Sequence, residues 1–336
     1  MLFRSCLGVI EDSTDTDDAE TSALSFGESA KFFIQPLPDV PAQWRQLHVH
    51  QLSAFFRHPA RFYLEQRLGL QLPRRHVDLQ DEEPLTSQRR LPTRWAQLLL
   101  EAYPPAQLLN MADTALVERV MAEPMTPSGP LGTAAFLQDL PALRAFVRSM
   151  ADFTAQPCLT THDVTWSTEV DGHPWALQSH WDDLRQSGWT RWRYDDFGVI
   201  DKLEAWWHHL MLCASPPPGM DLHTRWIGRE GGFVLQPCAT PHIHLQFALE
   251  VMAQGLREPL PFFPKSAWAY VQAGHQRAAA QNEWQASPHH RFAESQDVAC
   301  QWAWRGHGDP LPTHWTAFDR LARGLLGPLL EHLTPL

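Results

Sequence analysis

Residues 160–194 read TTHDVTWSTEVDGHPWALQSHWDDLRQSGWTRWRY, and this stretch decides the fold class. Its opening run, 160–170, is rich in β-branched residues, which pack well on a pleated, half-buried surface. Asp171-Gly172 is a turn signal leading into 174–184, and Ser187-Gly188 turns the chain again into 189–194. That last run alternates Trp189, Arg191 and Arg193 with Thr190, Trp192 and Tyr194, so the two sets face opposite ways. The pattern predicts a three-strand meander. Directly after it, Val199, Leu203, Trp206, Trp207, Leu210 and Ala214 form one apolar helical stripe, which the prolines at 216–218 end. Strands in tight succession with a covering helix predict an α+β domain, with all three runs in one sheet against 199–214.

Further signals extend this in both directions. Upstream, Leu52, Phe55 and Phe56 carry helical spacing, and Pro59 opens a second helix bearing Phe62 and Tyr63. Phe136, Leu140, Leu143, Phe146, Val147 and Met150 predict a helix near 132–153, with Pro141 in its middle. Downstream, 222–235 reads as a hairpin around Glu230-Gly231-Gly232, and Thr240-Pro241 opens a helix reaching about Leu256. A last helix carries Trp315, Phe318, Leu321, Ala322 and Leu325, then Pro328 before Leu329. Residues 11–30 are acidic and small, and 34–46 alternate proline with apolar residues. Residues 1–46 are therefore expected to be a largely disordered linker, and 47–336 one domain, with loops at 73–84 and 124–130.

A net charge of −11 is unfavourable for a free-standing DNA binder. The 27 basic residues include three lysines only, Lys31, Lys202 and Lys265, and there are 15 tryptophans. Arg and Trp suit protein interfaces and stacking on bases alike, so composition leaves both partners open. Cys6, Cys158, Cys213, Cys238 and Cys300 are scattered without a Cys-x-x-Cys pair, which predicts buried thiols rather than disulfides or a zinc knuckle. His208-His209 and His289-His290 are adjacent pairs that diverge by about 100° on a helix, which disfavours a shared ion. No apolar run reaches the roughly 20 residues of a membrane span, and no secretory signal or P-loop occurs, so the chain is expected to be cytoplasmic and not itself an ATPase.

Four blocks carry a family resemblance. Residues 47–70 place the pair Phe55-Phe56 before His58-Pro59, then Arg61-Phe62 and a closing Leu68-Gly69-Leu70. Residues 205–215 read AWWHHLMLCAS, 223–233 read HTRWIGREGGF and 257–270 read REPLPFFPKSAWAY. Together they resemble the C-terminal, nuclease-like domain of the gamma subunit of bacterial exodeoxyribonuclease V (RecC), over roughly 36–336. The resemblance implies a restriction-endonuclease-like core of the PD-(D/E)XK type with helical additions. It implies beta (RecB) and alpha (RecD) subunits as partners, with DNA met inside the complex. It also implies strand splitting and guidance, scanning for the Chi signal, and subunit docking. Magnesium and ATP would serve the whole complex, with no cofactor in this chain.

A nuclease of that type needs acidic groups for Mg²⁺ and a lysine beside the attacking water. Laid onto this chain, the family's histidine position falls on Phe136 and its first aspartate on Trp181; the Asp-x-Lys positions fall on Tyr194 and Asp196. Phe and Trp cannot ligate Mg²⁺, and no lysine stands in an Asp-x-Lys or Glu-x-Lys context, so a degenerate site is expected. The enzyme alternative is an Mg²⁺-dependent exonuclease with a migrated lysine, Lys202; a third is a stand-alone binding module. Candidate contact residues for DNA or partners are Arg191, Trp192 and Arg193, and Phe262, Phe263, Lys265, Trp268 and Tyr270. Pro261 and Pro264 would hold the latter segment in shape and Ser266 would cap its helix; plain core packing is the competing account of both groups.

Overall fold

The Asp171-Gly172 signal makes the tight hairpin it predicts, both residues taking positive φ (51° and 73°) as a two-residue turn between twisted strands requires. It joins β2 (His162–Val170) to β3 (His173–Trp181) in continuous antiparallel register from Val170↔His173 to His162↔Trp181. In this computed structural model, residues 31–73, 91–124, 126–287 and 293–336 are described. The expectations for residues 1–30, Cys6, most of the 73–84 loop and His289-His290 lie outside them. A short β1 (Gln46–His48) adds parallel to β3, giving the order β1-β3-β2.

The third run of the expected meander is not in this sheet. β4 (Trp189–Trp192) instead begins a second sheet, ordered β4-β5-β6-β7, in which it runs parallel to β5 (Thr224–Gly228). The reason lies at Gly188. Its φ is 115°, and a Cβ there would stand 2.2 Å from the carbonyl oxygen of His223, so the backbone packs directly on the start of β5. The helix Val199–Ala214 (α7) makes the crossover from β4 to β5. The hairpin of β5 with β6 (Gly231–Leu235) follows as expected, and β7 (Leu333–Pro335) closes the sheet antiparallel to β6.

The helices in chain order are α1 (Val49–Arg57), α2 (Pro59–Phe62), α3 (Leu91–Ala102), α4 (Pro105–Asn110), α5 (Asp113–Met121), α6 (Gly129–Thr154) and α7 (Val199–Ala214). They continue as α8 (Pro241–Gly255), α9 (Pro264–Gln272), α10 (Arg277–Trp284), α11 (Val298–Ala303), α12 (Pro310–Thr313) and α13 (Trp315–His332). α7 buries its predicted stripe from Val199 to Leu210, with Ala214 half-buried, and the Asp201 carboxylate accepts the Gly198 N–H at its start. α6 runs straight through Pro141, and α13 continues past Pro328. Pro141 and Leu137, whose carbonyl loses its donor, both face solvent, where the freed carbonyl is open to water. In α13, burial of Leu325, Leu326 and Leu329 outweighs the bond lost at Pro328.

Two apolar cores result. The main one gathers α1, α7, α8, α9 and α13 with β1–β3; the second gathers α3–α6 with Tyr194 and Ile227. Trp226 and Ile227 are neighbours on β5 and so point to opposite faces, which sets the second sheet between the two cores. Residues 31–46, expected in the linker, are partly packed. The Phe32 N–H donates to the Arg305 carbonyl (3.1 Å), the Leu37 N–H to the Arg257 carbonyl (2.8 Å), and Val40 is buried. Among the described residues the cysteines are free thiols, and no helix is long and apolar enough to cross a membrane.

Candidate functional site

The four positions that the resemblance lays against a nuclease site separate between the cores and the surface. Phe136, on α6, is fully buried edge-on against Trp95, with ring centroids 5.6 Å apart. Tyr194, just past β4, lies in the same second core and donates its hydroxyl to Asp139 Oδ2 at 2.8 Å. Arg229 pairs with the other oxygen of Asp139 and places its guanidinium 5.4 Å from the Tyr194 ring centre. Burial, then the Asp139 contact, raises the Tyr194 hydroxyl far above its ordinary range, so it stays protonated. Trp181 ends β3 in the main core, where it meets His162 and His208. Asp196 is exposed.

These positions do not fit Mg²⁺. Phe136 and Trp181 offer no oxygen, the Tyr194 hydroxyl is spent on Asp139, and Asp139 is itself taken by Tyr194 and Arg229. Among the described residues, none of the four belongs to a cluster of His, Cys, Asp or Glu near enough to share an ion. Asp139 and Arg229 were not singled out from the sequence. The available signal was an acid on an apolar stripe, three residues after Phe136 and four before Leu143. Lys202 donates to the Phe197 carbonyl (3.0 Å) and lies over the Phe233 and Trp268 rings; burial lowers its pKa.

On the end of β4, the two candidate arginines are already paired. Arg191 meets Asp183 at 3.4 Å and Arg193 meets Asp201 at 2.9 Å, with guanidinium groups over Trp189 and Phe197. Trp192 between them is 39% exposed. The 257–270 segment requires a larger correction. Phe262, Phe263 and Tyr270 are at most 3% exposed, so as packed they cannot be contact residues. Phe262 packs on Phe56 and Phe263 on Trp284, because apolar residues set between prolines fill a core as readily as they present a surface. Trp268 is half-buried beneath Lys202, and Lys265 remains exposed.

The blocks 47–70 and 257–270 meet at a cavity of about 300 Å³ lined in part by His58, Phe263, Lys265, Glu294, Asp297 and Cys300. His58 Nδ1 accepts the Arg61 N–H (3.2 Å) at the start of α2, and its Nε2 lies 2.9 Å from Asp297 Oδ1. A neutral ring protonated on Nε2 satisfies both bonds. Asp297 also accepts the Ala299 and Cys300 N–H groups, capping α11. Burial alone would raise its carboxyl, but the His58 bond, the Ala299 N–H and the Arg61 charge outweigh that and hold it at about 2. Glu294, not Ser266, caps α9: it accepts the Lys265 N–H (3.0 Å), the Ser266 N–H (2.8 Å) and the Ser266 hydroxyl (2.7 Å). Burial pushes the Glu294 carboxyl up despite these donors, and raises the Cys300 thiol well above its usual range. His58, Asp297 and Cys300 are close enough to share an ion. Both His58 nitrogens are engaged and the thiol is held protonated, so the cluster locks α2 to α11 and does not suit a metal.

A family model for the RecC C-terminal domain matches residues 44–275, more than half of the chain. The chain belongs to the RecC C-terminal domain family. A curated relative, the RecBCD enzyme subunit RecC of Escherichia coli (strain K12), is 23% identical over 261 residues, covering 74% of this chain and 21% of the relative. The chain thus spans about a fifth of that relative's length. The match to the RecC C-terminal domain begins at Trp44, two residues before β1, and ends at His275, after α9. The His58–Asp297 lock therefore joins the matched RecC region to α11, which lies beyond it.

Proposed function

We propose that this chain is the non-catalytic C-terminal domain of the gamma subunit of a RecBCD-type helicase/nuclease, acting in double-strand-break repair by homologous recombination. In such a complex it docks the beta (RecB) and alpha (RecD) subunits in the cytoplasm. It also contributes to strand guidance and to recognition of the Chi signal. Magnesium and ATP serve other parts of the assembly. In this reading the β2–β3 hairpin, the β4-α7-β5 crossover and the flanking helices are a restriction-endonuclease-like core with helical additions.

One observation carries the non-catalytic part. Three of the four nuclease positions are aromatic side chains buried in packed cores, and Asp196 stands apart at the surface. The migrated-lysine alternative is disfavoured because Lys202 is occupied by a carbonyl and two rings. Assembly tests the rest. Co-expressed with beta and alpha subunits from the same organism, the chain is expected to co-elute with them through size-exclusion chromatography. Elution of the folded chain apart from both subunits would favour the stand-alone binding module.

A further inference from the structure

β4 is the outermost strand of the second sheet, and beside it runs a groove of about 430 Å³ whose other wall is the Thr93, Gln97, Leu100 and Glu101 face of α3. Trp192, Arg193 and Tyr194 all line it. Consecutive residues of an extended chain point to alternate faces, so a groove touching all three follows the strand's edge rather than one face. The ladder agrees. The Trp189 N–H donates to the His223 carbonyl (2.9 Å) and the Arg193 N–H to the Ile227 carbonyl (3.0 Å). In a parallel pair every second residue bonds the same neighbour, so the N–H and C=O of Trp192 turn outward, away from β5. Thr190, the other outward residue, is fully buried, which leaves the edge open from Trp192 onward.

Charge decides what fits there. Asp183 and Asp201 neutralise Arg191 and Arg193. Glu101 accepts a hydrogen bond from the Gln97 amide and has no cationic partner among the described residues. The groove is thus net negative on a chain of charge −11, which disfavours a nucleic-acid backbone. We propose that the α3–β4 groove binds an extended peptide segment of a partner protein. The segment adds to the sheet by backbone bonds at Trp192, packs an apolar side chain on Trp192 and Leu100, and sets a Lys or Arg against Glu101. Unpaired strand edges flanked by side-chain pockets are used this way in peptide recognition.

The test uses the full chain and the peptide acetyl-Lys-Val-Thr-Leu-Val-Thr-Lys-amide, with calorimetry and hydrogen exchange. Binding is expected to slow exchange of the Trp192 N–H. Replacing both peptide lysines with glutamate should weaken binding about threefold to tenfold, and Glu101→Lys should reverse that preference. N-methylation of alternate peptide residues, which needs no protein variant, should weaken binding about tenfold. Equal binding of N-methylated and plain peptides, or protection of 189–194 by an oligonucleotide instead, would overturn the proposal. Normal co-elution of Glu101→Lys with the beta and alpha subunits would leave the family role intact while the groove is judged separately.

Discussion

Lowering the pH from 7 to 5 is expected to reduce folding stability by about 2–4 kcal/mol, through the adjacent histidines of α7. Burial lowers His209 to about 4, with His332 and His223 adding to the shift against the Gln236 carbonyl bond. It lowers His208 to about 3, helped by Arg191 and His50. His209 is neutral between the Thr224 hydroxyl (3.0 Å) and the Gln236 carbonyl (2.9 Å), and His208 lies between Trp181 and Trp189. An unfolded histidine takes up its proton near pH 6.5, well before these two do. The stabilisation is complete above about 6.5 and falls as pH drops toward the folded values, at about 1.4 kcal/mol per pH unit per group. His244 and His314 are shifted the same way, while exposed His180 is shifted up by Asp163 and opposes them weakly. Urea unfolding at the two pH values measures the change above most carboxylate titration. An unchanged midpoint would mean that His208 and His209 are not buried neutral.

Replacing Asp139 with alanine is expected to cost about 3–5 kcal/mol. Asp139 is the shared acceptor of Tyr194 and Arg229, and its loss leaves a buried hydroxyl and a guanidinium without it. Tyr194→Phe keeps the Asp139–Arg229 pair and should cost about 1–2 kcal/mol. The order of the two separates structural from catalytic roles. A carboxylate held for a metal ion is strained in the empty protein, so its removal is commonly neutral or stabilising. A large loss at Asp139 fits a structural network around Tyr194 and Arg229, and a gain would contradict it.

The elements legible in the sequence are those specified by adjacent residues. Asp171-Gly172 specifies the β2–β3 turn, the Val199–Leu210 stripe specifies α7, and Thr240-Pro241 opens α8. The pairing of β4 was not legible, because its alternation suits either sheet and the Gly188–His223 approach that selects β5 is non-local. Neither Pro141 nor Pro328 ends its helix, because whether a proline breaks a helix depends on what the freed carbonyl faces. At the candidate site, the aromatic identity of Phe136, Trp181 and Tyr194 is plain in the sequence. Their separation into two cores is not, nor is the burial of Phe262 and Phe263. The Glu294 cap of α9 and the His58–Asp297 bond bridge elements far apart in sequence, so no local pattern announces them.

The most direct test of the central claim is degradation of end-labelled DNA by the purified chain with Mg²⁺. Single- and double-stranded substrates should both remain at full length, as in a buffer control, and Lys202→Ala should change nothing. Mg²⁺-dependent cleavage that is abolished by chelation and by Lys202→Ala would contradict the account and restore the chain to the active nucleases.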